Sequence, residues 1–291
     1  MTQATQVIHV GDISISAVVE CDSTLFGALD LFPDATEASL SAESAWMVPS
    51  LYDPDSKAFK SLVQGFVFRA DGKTVLVDTC VGNDKPGRSR PDWTLAKFPF
   101  LENLAGAGYS PEDIDVVLCT HLHLDHTGWN TRLDNGRWVP TFPNAEYLSN
   151  AVELAALEKR RAGSAVNRLV YEDSILPVIQ SGQLSTVAMD HRLSGSVALE
   201  PSPGHTAGHV SVRVSAGGES AVAIGDMMHH PIQALHPDWN SRHCEDPAQA
   251  RKTRRAFLEQ VADTGTWILP AHFAPCRACR DGKAFRFNLG G

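Results

Sequence analysis

A chain of 291 residues with 43% hydrophobic content is long enough to bury a sizeable core, so residues 1–291 are expected to form one large α/β domain. Its formal net charge of −9 excludes the strongly basic face that phosphate-backbone binding needs, and no apolar run approaches the ~20 residues that span a bilayer. Residues 1–10 also lack a basic start followed by an apolar core, so the expectation is a cytoplasmic protein with no nucleic-acid and no membrane partner.

In chain order, residues 7–10 and 13–19 group apolar side chains around Gly11-Asp12 and read as an opening hairpin. From 21 to 60 periodicity is lost, and Leu25, Phe26, Leu29, Leu31, Phe32, Trp46, Met47 and Leu51 stand among Pro, Ser and Asp. A stretch this long without regular structure is more often functional than idle, so it is expected to be irregular and to lie near a pocket or across a dimer interface. Residues 62–68 and 74–77 read as strands joined at Asp71-Gly72, the second ending in Asp78. A helix is expected between Trp93 and Ala105, begun afresh or kinked at Pro99, with Gly106 and Gly108 as its stop.

The run 115–120 is β-branched and apolar, a buried strand, and His121-Leu122-His123-Leu124-Asp125-His126-Thr127-Gly128 follows it directly. Imidazole nitrogen and carboxylate oxygen are borderline ligands that suit zinc, manganese, iron or cobalt. Four such groups on so tight a turn are too many for one ion. Two ions are therefore inferred, with His121 and His123 serving one and Asp125 and His126 the other. A lone histidine would carry no such inference; this spacing after a strand does.

Trp129 follows at once and is a candidate pocket wall. Asn150 is a candidate N-cap for a helix over 151–161, with Val152, Ala155 and Ala156 on its apolar face, and a less regular helical stretch covers 166–179, interrupted by Pro177. Residues 184–189, 197–199 and 209–214 are strand-like, and 220–224 is a short apolar strand ending just before Asp226. Asp246-Pro247 opens a helix whose apolar face is Ala250, Thr253, Phe257, Leu258 and Val261. Arg251, Lys252, Arg254 and Arg255 read as its solvated face. Gly265 ends it, and the strand 266–269 leads to His272. The six cysteines (Cys21, Cys80, Cys119, Cys244, Cys276, Cys279) are scattered and fit a reduced compartment, and Cys276-x-x-Cys279 is half of a zinc or redox pair, a weak signal alone.

His121-x-His123-x-Asp125-His126 resembles the signature of the metallo-β-lactamase superfamily, and the similarity runs from about Val63 to His272. The resemblance matches the family's third histidine of the first site to His205 in Pro203-Gly204-His205-Thr206-Ala207-Gly208-His209. It matches the bridging aspartate to Asp226 in Ala223-Ile224-Gly225-Asp226, and the last histidine to His272 in Leu269-Pro270-Ala271-His272. It implies a four-layered αββα sandwich, a supporting role for Asp78 through hydrogen bonds to the ligand loop, and two divalent ions, zinc foremost, holding a bridging hydroxide. Asp125 would take the hydroxide's proton and pass it to the leaving alkoxide. His229 stands where the acyl-homoserine lactonase group carries a tyrosine, three residues after the bridging aspartate; as in methyl parathion hydrolase-like members, it would donate to a developing oxyanion.

Within the family, true β-lactamases generally lack the bridging aspartate, glyoxalase II adds a helical domain for which little chain follows His272, and nucleic-acid-cutting members add basic surfaces. The expected function is therefore a binuclear-metal hydrolase of a lactone or carboxylic ester, small and partly apolar, with Phe26, Trp46, Trp129 and Trp239 as pocket walls. The alternative is an aryl phosphotriesterase, because the same hydroxide can attack phosphorus. Below both stand a redox diiron protein, whose relatives carry glutamate where this chain has His123, and a non-catalytic metal-binding protein. A homodimer is the assembly expected from the resemblance and from the long apolar N-terminal segment.

Overall fold

The two-residue period of a strand sends Ile8, Val10, Ile13, Ile15 and Ala17 to one side of the hairpin formed by Val7–Val10 and Ile13–Gly27, and these side chains open the central core. The computed structural model describes residues 6–289; residues 1–5, half of the stretch read above for a leader, lie outside the described residues. Among the described residues no helix is long and apolar enough to cross a membrane.

The first sheet runs antiparallel through Val7–Val10, Ile13–Gly27, Ala58–Ala70 and Lys73–Val77, then parallel through Val116–Leu118, Glu146–Asn150 and Leu184–Val187, with Tyr52–Asp53 beside Ala58–Ala70. The second orders Val197–Pro201, Val210–Ala216, Glu219–Gly225, Trp267–Pro270, Cys276–Asp281 and Ala284–Leu289. Phe66, Val75 and Leu118 from the first sheet meet Val197, Val212 and Leu269 from the second in one inter-sheet core. Phe100, Leu104, Leu157 and Ile175 cover the outer face of the first sheet, and Phe257, Leu258 and Val261 of the helix Pro247–Val261 cover that of the second. Each of those three side chains contributes roughly 1.5–3 kcal/mol by leaving water, which docks a helix that is otherwise polar. The layer order is the αββα sandwich expected from the resemblance.

Several local expectations need correction. Residues 21–60 are not irregular. Ile13–Gly27 runs on into them and pairs with Ala58–Ala70; its alternation is hidden in the sequence by register shifts at Val19/Cys21 and Cys21/Thr24. Thr36 then caps the helix Glu37–Met47 in a reciprocal box with Ser39, and Leu31, Phe32, Leu40 and Met47 pack with Phe59, Ile232 and Trp239 in a core of their own. The helix after Pro99 is only Phe100–Gly106.

In Ala151–Gly163 the buried residues are Glu153 and Leu157, while Val152 is 46% exposed, because Glu153 is drawn inward by hydrogen-bond donors. The stretch 166–179 contains a π turn, Tyr171–Ile175, between Ala165–Val170 and Leu176–Gln180. Arg254 is not on a solvated face: it is buried and donates to the carbonyls of Met227 and Pro237. Cys276 and Cys279 lie three residues apart on one strand, which points them to opposite faces, with Cys276 in the core; all six cysteines are free.

Candidate metal centre

Lys73–Val77 runs parallel to Val116–Leu118, and Glu219–Gly225 parallel to Trp267–Pro270. Asp78, the 121–126 turn, Asp226 and His272 therefore all follow carboxyl ends of strands, where loops rather than sheet shape a site. Gln64 ties the two sheets together there. Its Nε2 donates to the carbonyls of Pro270 and Phe273, both at 2.8 Å, while the Leu62 amide donates to the His272 carbonyl at 2.9 Å. Gly225, at φ +47°, lets Thr120 and His209 pass close against the backbone just before Asp226: a Cβ there would meet Thr120 Oγ1 at 2.4 Å and His209 Nε2 at 2.8 Å.

Two groups of donor atoms result. His121 Nε2 and His205 Nε2 stand 3.0 and 2.9 Å from His123 Nδ1, and Asp226 Oδ2 lies 3.6 Å from His121 and 3.2 Å from His205. Asp226 Oδ1 faces the other group, 3.0 Å from His126 Nε2 and 2.9 Å from His272 Nε2, with Asp125 oxygens 3.9 and 3.7 Å from those nitrogens. Asp226 belongs to both groups, one oxygen to each.

The chemistry of this set fits divalent cations. His126 Nδ1 is 2.9 Å from Asp78 Oδ2 and His272 Nδ1 is 3.1 Å from the Leu62 carbonyl; both partners only accept, so each ring carries its proton on Nδ1 and offers Nε2 to Asp226. His126 Nε2 and Asp226 Oδ1 are buried without a hydrogen-bond partner. Two such atoms facing each other call for positive charge between them, either a second proton on the ring or a bound divalent cation.

Burial pushes His121 and His123 well below the usual histidine range and His205 down to about 3, which keeps them neutral as ligands must be. Burial also opposes charge on His126 and His272, yet Asp226, with Asp125 and in the case of His126 also Asp78, raises both above the ordinary histidine value. Protons on these two rings therefore compete with an ion. Metal affinity is expected to fall as acid is added through the range in which the rings charge; chelator competition that gave one affinity at every pH would contradict this.

Asp78 accepts from the Thr120 amide at 2.7 Å and from the Thr120 hydroxyl as well as from His126 Nδ1. Three further supports carried no role in the sequence reading. Glu153 accepts from the amides of Leu122 and Gly208, both at 3.1 Å, and from the Thr206 hydroxyl at 2.7 Å, joining the two loops that carry the first histidine group. Glu20 accepts from the Val81 and Gly82 amides and from Trp129 Nε1 at 2.7 Å; burial raises its carboxyl to about 7 against those donors. His209 Nε2 accepts from the Asp226 amide at 3.1 Å.

A cavity of about 420 Å³ opens over Asp125, Asp226, His229 and His272. Phe26 lines it, edge-on to His272 at 6.5 Å and to Trp93 at 6.2 Å. The other three expected walls are elsewhere, each with a partner that holds it away. Trp46 donates to Glu43 beside the N-terminal core, Trp129 stacks on Phe100 at 5.6 Å, and Trp239 stacks on His236 at 4.0 Å. Trp93, on the short turn Pro91–Trp93, and Leu31 supply apolar wall instead. His229 faces the cavity, its Nε2 3.3 Å from Asp226 Oδ2 and its ring stacked on His272 at 5.4 Å. His230 is packed on Phe59 at 4.0 Å.

A family model described as the Metallo-beta-lactamase superfamily matches residues 62–272. The Metallo-beta-lactamase domain-containing protein 1 of Xenopus laevis is 27% identical over 231 residues, 76% of this chain and 78% of its own length. An N-acyl homoserine lactonase of Bacillus cereus is 27% identical over 111 residues, 38% of this chain and 37% of its own. Among solved structures, hydrolase AbOPH in the beta lactamase superfamily superposes with a TM-score of 0.84 at 22% identity, covering 100% of this chain and 99% of that one. AidC, a dizinc quorum-quenching lactonase, superposes at 0.81 and 21% identity, covering 99% and 98%. At these identities the two structures speak for the fold alone.

Proposed function

This chain belongs to the metallo-beta-lactamase superfamily, and from that premise we propose that it is a binuclear-metal hydrolase opening a lactone or carboxylic ester of a small, partly apolar substrate. The observation that carries the reading is Asp226, one carboxylate turned toward two converging ligand groups beneath an open cavity. His121, His123 and His205 with Asp226 would hold one ion, and Asp125, His126 and His272 with Asp226 the other. Bound there, a pair of zinc, manganese, iron or cobalt ions supplies Lewis acidity and makes water a nucleophile at neutral pH.

The chain's own residues do the rest. Asp125, 14% exposed at the cavity floor, takes the proton of the attacking water and returns it to the leaving alkoxide. His229 donates to the carbonyl oxygen as it gains charge. Phe26, Leu31 and Trp93 receive the apolar part of the substrate and keep water from it. The Bacillus cereus relative named above is an N-acyl homoserine lactonase, which favours a cyclic ester among the candidates.

The test is kcat/KM of metal-loaded protein on matched lactones, aryl esters and an aryl phosphotriester, with Asp226→Ala as the blank. A lactone or ester is expected to rank first; preference for the phosphotriester would reverse the assignment, and silence on the whole panel would remove the hydrolase reading. On the best substrate, His229→Ala is expected to lower kcat by about 10²–10³-fold with little change in KM. An unchanged kcat would take His229 out of the reaction.

A further inference from the structure

A second groove, of about 400 Å³, shares no lining residue with the substrate cavity and lies against the helix Pro247–Val261. Ser202 and Ser211 line it, 4% and 1% exposed, with Met227 and Phe257 beside them. A proton count distinguishes these two serines. The Asp226 amide donates to His209 Nε2 at 3.1 Å, so that nitrogen is an acceptor and the ring proton sits on Nδ1, which donates to Ser202 Oγ at 2.8 Å. Ser211 Oγ lies 3.0 Å from Ser202 Oγ. The two hydroxyls bring two protons, only one of which is used between them, and His209 has no lone pair left for the other.

One hydroxyl donor of the pair thus has no acceptor among the described residues, at a buried position where an unmet donor costs about 1–3 kcal/mol. At the rim, Lys252 has no ion-pair partner among the described residues, while Glu200 is taken by Arg213 at 3.1 Å. A spare donor, a free cation and apolar walls together suit a small anion with a hydrocarbon tail.

We propose that this groove is a second small-molecule site, for a short-chain carboxylate, and that its occupant acts on Asp226 through Ser202 and His209. Ester or lactone hydrolysis yields a carboxylate, so on the reaction proposed above the occupant is of the product class; binding itself does not depend on that reading. Hexanoate titrated into zinc-loaded protein is expected to shift the amide resonances of Ser202, Ser211 and Phe257 saturably, with Asp226 following at the same midpoint. Hexanamide is expected to bind at least about tenfold more weakly.

Lys252→Gln should weaken the hexanoate shifts, and Ala256→Trp, which fills the groove from its helix wall, should abolish them while ester turnover stays unchanged. Shifts that survive Ala256→Trp would place the carboxylate at the metal centre and overturn the site. So would the absence of any groove shift at tens of millimolar hexanoate, and hexanamide binding as well as hexanoate would overturn the carboxylate assignment. If every ester is inert while the groove shifts persist, the proposed reaction falls and this site stands.

Discussion

Asp226→Ala is expected to bring hydrolysis down to the level of the metal-free protein and to empty both ion positions together. Among the described residues Asp226 is the only member common to the two ligand groups, with Oδ2 toward His205 and Oδ1 toward His126 and His272. Its loss leaves one group with three neutral rings and the other with two rings and Asp125, and it removes the charge that lets two cations lie close together. The fall in kcat/KM should be at least about a thousandfold, or ~4 kcal/mol of transition-state stabilisation. Metal analysis alongside the kinetics separates lost chemistry from lost ions: a variant that kept both ions and worked within about tenfold of the parent would contradict the shared-carboxylate arrangement.

The second large effect lies away from the metals. Asp173, on the π turn Tyr171–Ile175, accepts both terminal nitrogens of Arg88 at 2.9 and 2.8 Å and stands 3.7 Å from Lys85 Nζ, all of them buried. Lys85 also donates to Thr131 at 2.6 Å and sits over the Trp138 ring at 3.7 Å; burial pushes its ammonium down to about 7. Asp173→Ala leaves the Arg88 guanidinium without its carboxylate in a dry site and drives Lys85 toward its neutral form, a change that costs about 3–5 kcal/mol. Against a total stability of about 5–15 kcal/mol that is a large fraction. Urea unfolding should show it directly, and a loss of less than about 1 kcal/mol would mean the cluster is not dry. Because Ser89 and Arg90 follow Arg88 and line the substrate cavity, the folded fraction of this variant should also show a raised KM.

What the sequence made legible was chemistry with local spacing. His121, His123, Asp125 and His126 fall within six residues, and the strand before them is apolar enough to be recognised, so both a candidate ligand set and its placement at a strand end could be read. Regular alternation likewise revealed the opening hairpin and the strand Val210–Ala216. Long-range satisfaction of polar groups was not legible. Glu153 looks like any solvent-facing glutamate on a helix, and only the fold brings Leu122, Thr206 and Gly208, 31 to 55 residues away, to its carboxylate. Glu20 finds Trp129 across 109 residues, and that hydrogen bond is what turns an expected pocket wall into scaffold. Arg254 was misread for the same reason, its guanidinium being spent on two carbonyls of the loop beneath the helix.

The measurement that tests the central claim most directly is a zinc titration of metal-free protein, following bound metal and turnover of the best lactone or ester in the same samples. Two equivalents per chain, with turnover rising as the pair is completed and Asp226→Ala failing to reach it, is the predicted result. Full turnover without metal, or full turnover at a single equivalent that Asp226→Ala still binds, would contradict a pair of ions joined through Asp226.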